Sequence, residues 1–62
     1  MRGERRWTMH RYRMRGPSGP METVAASATK ARSNLRYRLV HECGMSWYDA
    51  REYDMSDLKM VD

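Results

Sequence analysis

Residues 7 to 15 alternate along the chain. Trp7, Met9, Arg11, Arg13 and Arg15 share one parity, and Thr8, His10, Tyr12 and Met14 the other. A period of two is the mark of a strand, and Trp, Thr and Tyr favour that conformation. The second set carries no permanent charge and is predicted to face a core. The first set turns three arginines outward. A disordered basic arm is the competing reading, since charged termini often stay loose. Gly16-Pro17-Ser18-Gly19-Pro20 follows and predicts a hairpin loop of about five residues, because Pro fixes one dihedral and Gly permits the unusual ones. Residues 21 to 26 then read as a second strand, with Met21, Thr23 and Ala25 on one side and Glu22, Val24 and Ala26 on the other.

The period changes at Ser27, whose hydroxyl suits a helix N-cap. Ala28, Ala31, Leu35, Leu39 and Cys43 recur at spacings of three and four, which gives an apolar stripe along a helix over 28–43. Gly44 stands where a left-handed residue closes a helix. At 100° per residue, Lys30, Ser33, Tyr37 and His41 fall opposite the stripe. Arg32, Arg36 and Arg38 flank it, where their stems can cover apolar edges while the guanidinium groups stay in water. Ser46 with Asp49 resembles a capping box, with Met45 and Ala50 as a weak staple, and predicts a helical turn over 47–52. Residues 53 to 61 predict a third strand, with Ser56, Leu58 and Met60 on one side and Asp57, Lys59 and Val61 on the other. A helix from 47 to 61 is the rival, but its wheel gives no clean stripe.

These elements sum to a small α/β (α+β) fold of ββαβ order. The last strand placed beside the first gives a three-stranded antiparallel sheet of order 2-1-3, with one helix on one face of a two-layer sandwich. The other face can remain in water and would carry Arg11, Arg13 and Arg15. The expected organisation is a basic tail at 1–6 and a single domain at 7–62. At 62 residues and 7.4 kDa the chain buries only about 60% of its unfolded surface, leaving no room for a deep catalytic cleft.

Charge sharpens this picture. Residues 1 to 40 carry ten Lys/Arg against two acids, whereas residues 41 to 62 carry two against six. A basic half is the electrostatic footprint of an acidic partner, most often nucleic acid. The longest uncharged run, Thr23 to Thr29, is far short of the roughly 20 apolar residues of a membrane span, so no membrane partner is expected. Arg2, Arg5 and Arg6 lead into Trp-Thr-Met-His-Arg rather than an apolar stretch, unlike a secretory signal. Cys43 is the sole cysteine. It admits no internal disulfide and fits a reducing cytoplasm.

The stretch Val24-Ala25-Ala26-Ser27-Ala28-Thr29-Lys30-Ala31-Arg32, leading through Tyr37-Arg38 to Gly44, resembles short uncharacterised phage and prophage proteins. Their pattern is a strand, a Ser-x-x-Lys-Ala-Arg helix and a closing strand. The resemblance covers about half the chain. It implies the strand-to-helix junction and a mobile-element origin in a bacterial host. It brings no active site with it.

Reactive constellations are thin. His10, His41 and Cys43 lack the paired spacing of a zinc site, and His41 and Cys43 diverge around a helix. Cys43 is expected on the apolar stripe near a helix C-terminus, where the dipole disfavours a thiolate. Asp49, Glu52, Asp54 and Asp57 read as a solvated edge, with nothing to desolvate an acid–base pair. Gly16-Pro17-Ser18-Gly19 lacks the Lys and helix start of a phosphate loop. The expectation is no enzyme, no metal and no cofactor. Glu42 to Ser46 also fits a helix-turn-helix template, but Asp49, Glu52 and Asp54 give its second helix the wrong sign for a DNA groove.

Two binding readings remain. Arg5, Arg6, Trp7, Arg11, Arg13 and Arg15 interleave basic and aromatic residues. Arginine pairs bidentately with phosphate, and aromatic faces stack on unpaired bases. This predicts contact with nucleic acid or a nucleoprotein complex. Alternatively, Lys30, Ser33, Tyr37 and His41 form a partner-binding face, since exposed Tyr is enriched at interfaces. That reading predicts a small mobile-element regulator, for example an anti-CRISPR-like inhibitor of a host-defence protein, or a homodimer that covers a sheet edge.

Overall fold

The alternating segment forms the centre of a sheet. A computed structural model describes residues 8–61; Arg5, Arg6 and Trp7, and the tail expected at 1–6, lie outside them. Strand β1 spans His10–Gly16 and β2 spans Gly19–Ala25. Helix α1 spans Ala28–His41, α2 spans Trp47–Glu52, and β3 is Lys59–Met60. The strands are antiparallel in the order β2-β1-β3, with α1 packed against one face, as the pattern predicts.

The hairpin is tighter than expected. Gly16 pairs with Gly19, so the connection is Pro17-Ser18 rather than five residues. The pairing of Met14 with Met21 and Tyr12 with Thr23 keeps the inward set of both strands on one face. A slip of one residue would turn one set outward. Two glycines permit this closure. Gly19 takes φ +135, which a side chain would resist, and a Cβ on Gly16 would lie 2.7 Å from Met21 Cγ and 3.0 Å from the Gly19 carbonyl oxygen. Strand β1 begins at His10 rather than at residue 7; Thr8 and Met9 are described outside it and exposed.

Ser27 caps α1 by accepting the Lys30 N–H at 3.2 Å. Ala31, Leu35 and Leu39 are fully buried, as the stripe requires. Cys43 departs from it. The helix stops at His41, Gly44 takes φ +75 and the Met45 N–H donates to the Leu39 carbonyl at 3.1 Å. The chain therefore leaves its 100° progression one residue before Cys43, which is exposed as a free thiol. Ser46 then caps α2 by accepting the Asp49 N–H at 3.0 Å.

The third strand is much shorter than the 53–61 expected from alternation. Between α2 and β3 the chain turns its side chains to other work. Met55 is buried, and Tyr53 and Leu58 pack on the core. The Asp57 carboxylate accepts the Arg15 N–H at 2.9 Å, and the Tyr53 hydroxyl donates to the Arg15 carbonyl at 3.1 Å. Two side chains thus supply the partners that a longer β3 would have offered β1. Backbone pairing resumes where the Val61 N–H reaches the Arg11 carbonyl at 2.8 Å.

Met14, Met21 and Met55 join Leu35, Leu39 and Ala50 in the larger buried cluster, and Tyr12, Ala25 and Ala31 form a second. Leu58 packs against both. The chain has no Phe, and flexible methionine fills the irregular gaps between short elements. No described helix is long and apolar enough to cross a membrane.

Candidate nucleic-acid interface

Because β1 is the central strand and α1 covers only one side of the sheet, the outward residues of β1 stand on an open face. Arg11, Arg13 and Arg15 are exposed there, each two residues from the next, or about 7 Å apart. Register sets their neighbours. Arg11 lies opposite Val24, Arg13 between Glu22 and Lys59, and Arg15 opposite Pro20. Lys59 is exposed and adds a fourth cation.

Two of the three guanidinium groups meet an acid. Arg13 donates from Nε and Nη2 to the same Glu22 carboxylate oxygen at 2.9 and 2.8 Å. Arg11 Nε lies 3.9 Å from the other Glu22 oxygen. The Arg15 guanidinium has no ion pair among the described residues. Each arginine has five N–H donors, so Glu22 aligns Arg13 without saturating it. An open hollow of about 570 Å³ lies at the hairpin end of this face, lined by Arg13, Arg15, Gly16, Pro20, Asp57 and Lys59.

The basic surface continues around the β2 edge. Arg38 on α1 donates Nη1 to the Glu22 backbone carbonyl and Nε to Glu42 at 3.1 Å. Pro20 on the same edge has no N–H to offer. Beyond Arg38 lies a second hollow of about 610 Å³, lined by Ser33, Arg36, Tyr37, Arg38, Trp47 and Arg51. Tyr37 and His41, one helical turn apart, bring their rings to 4.1 Å between centroids. Trp47 stands 6.4 Å from Tyr37 and 6.3 Å from His41, tilted 58° and 78° to them. The Arg36 Nε is shielded from water and has no hydrogen-bond partner among the described residues.

Of the helix-face residues singled out by sequence, Ser33 and Tyr37 line this hollow and His41 stacks beside it. Lys30 is exposed but outside the lining. Sequence reasoning missed Trp47, Arg36 and Arg51. The i,i+4 pair of Tyr37 and His41 was visible, but the fold-back that sets Trp47 beside them depends on the turn at Gly44. Elsewhere, Asp54 is held below the ordinary carboxylate range, first by the Ser56 backbone N–H and then by the Ser56 hydroxyl. No group of three His, Cys, Asp or Glu among the described residues could hold a metal ion. Compared with protein-family models, curated proteins and solved structures, the chain matches none.

Proposed function

We propose that the chain is a small non-enzymatic binding module that contacts nucleic acid, alone or in a nucleoprotein complex, through the outer face of its sheet. One observation carries this reading. Arg11, Arg13, Arg15 and Lys59 project from a face that no other described element covers. Their short spacing on a stiff strand offers a row of donors to successive phosphates, the contacts that dominate sequence-independent affinity. Glu22 competes for two of these cations, but an exposed ion pair is worth only about 0–1 kcal/mol, so phosphate can share or displace it. The test is fluorescence anisotropy with labelled oligonucleotides across salt concentrations. Replacing Arg11, Arg13 and Arg15 together with Gln should weaken binding and flatten its salt dependence, by about 0.7–0.9 in log–log slope per lost phosphate contact. An intact chain with no affinity at low salt would exclude the reading.

A second reading, a mobile-element regulator that binds a host protein, draws support from Tyr37, Trp47 and Tyr48, each more than half exposed. Aromatic residues are enriched at protein interfaces. It predicts an identified protein partner that persists after nuclease treatment, is lost in Tyr37→Ala and is kept when the three sheet arginines are replaced.

A further inference from the structure

The second hollow differs in character from the sheet face. Among the described residues its lining brings together three guanidinium groups and no carboxylate; Arg38 is paired with Glu42 outside the lining, and Arg36 and Arg51 have no ion pair among the described residues. Tyr37 and Trp47 also line it. His41 lies against Tyr37 at 4.1 Å, whereas Trp47 is tilted steeply to both neighbours and is 52% exposed. Trp47 is therefore stacked on neither ring. The Arg36 Nε is shielded from water, so an incoming acceptor can meet Arg36 only through its terminal nitrogens. An occupant that satisfies this set is anionic, rich in acceptors, and offers a flat apolar face.

We propose that this hollow receives an unpaired nucleotide, its base stacked on Trp47 and its phosphate held by Arg36 and Arg51, which makes the module selective for single strands. The proposal rests on the nucleic-acid reading above and deepens it. A duplex hides the faces of its bases, whereas a single strand exposes them to aromatic side chains. The two basic regions are also connected. Arg38 lines the hollow and grips the Glu22 carbonyl, while the Glu22 carboxylate grips Arg13. On this proposal a strand laid along the arginines of β1 reaches the hollow by crossing the β2 edge beside Glu22, whose charge it must pass. A run of acidic peptide would satisfy the cations, but it has no flat ring to set against Trp47.

The experiment compares a 20-nucleotide oligo-dT, the matching oligo-rU, a 20-base-pair duplex and a poly-glutamate peptide on the full chain, by anisotropy at one salt concentration. The intact chain should prefer a single strand to the duplex. Trp47→Ala should weaken single-strand binding roughly fivefold to a hundredfold, the range for loss of one stacking partner, and leave duplex binding unchanged. Arg51→Gln should weaken the single strand more than the duplex. Thermal melts confirm that these exposed substitutions fold. If Trp47→Ala affects both nucleic acids equally or neither, the single-strand proposal is overturned while the sheet-face reading stands. If neither nucleic acid binds, both fall. Poly-glutamate bound more tightly than oligo-dT, in a Trp47-dependent manner, would assign the hollow to an acidic protein segment and overturn the proposal.

Discussion

Glu22 gives the sheet-face reading its sharpest test, because the structure predicts that removing it improves binding. Its carboxylate lies 2.8 Å from Arg13 Nη2 and 3.9 Å from Arg11 Nε. A phosphate that approaches either arginine meets this negative charge at close range. Two unit charges about 4 Å apart interact by about 1 kcal/mol in water and about 4 kcal/mol at an effective dielectric of 20. The Arg13 and Glu22 side chains are 50% and 40% exposed, so the lower figure applies. Glu22→Gln preserves shape and an acceptor oxygen but removes the charge, so affinity for oligo-dT should rise about fivefold. The log–log salt slope should steepen by about 0.7, one further phosphate contact on a single strand. The cost to the fold is one exposed ion pair, at most about 1 kcal/mol, or some 4–8 °C in Tm for a domain of this size. Anisotropy at two or more salt concentrations reads the first effects, and a thermal melt the last. Asp54→Asn is the control, because it changes net charge equally without touching an arginine. Unchanged or weaker binding by Glu22→Gln, or an equal gain from Asp54→Asn, would refute the argument that phosphate and Glu22 share these guanidinium groups.

Leu35→Asp should abolish cooperative melting, since it sets an unpaired charge at a fully buried position; Leu35→Ala should cost about 2–5 kcal/mol, against a total of about 3–9 kcal/mol for a chain of this length. Gly16→Ala should lower stability by about 1–3 kcal/mol in a denaturant titration, because its Cβ would meet Met21 Cγ and the Gly19 carbonyl. Asp57→Ala should speed hydrogen exchange at the Arg15 amide, whose acceptor it removes, and Asp57→Asn should restore much of the protection. Asp54 has its pKa lowered in the folded state. Its stabilisation is therefore present above the unfolded pKa and lost as pH falls through the folded one. Melts from about pH 5 to about pH 2 should show a shallower acid-side fall in Tm for Asp54→Asn.

Local pattern determined much of this protein. The parity of Tyr12 and Met14 against Arg11, Arg13 and Arg15 set the two faces of β1, and Ala31, Leu35 and Leu39 set the buried stripe of α1. Ser27, Gly44 and Ser46 marked the helix ends, because caps and left-handed turns are satisfied by neighbours within a few residues. Side-chain periodicity and capping are properties of the chain's own backbone geometry, so they survive without knowledge of distant contacts. Tertiary structure decided the rest. Cys43 kept the helical spacing on paper but left the stripe because the chain turns at Gly44. Most of 53–61 does not pair, because Met55 and Leu58 are drawn into the core and Asp57 and Tyr53 take the place of a strand beside Arg15. Glu22 came to face Arg13 through a two-residue turn that fixed the register, and Trp47 came to stand beside Tyr37 through the fold-back of α2. These meetings join residues far apart in sequence, and only the packing of all the elements together selects them from the alternatives each segment would accept alone.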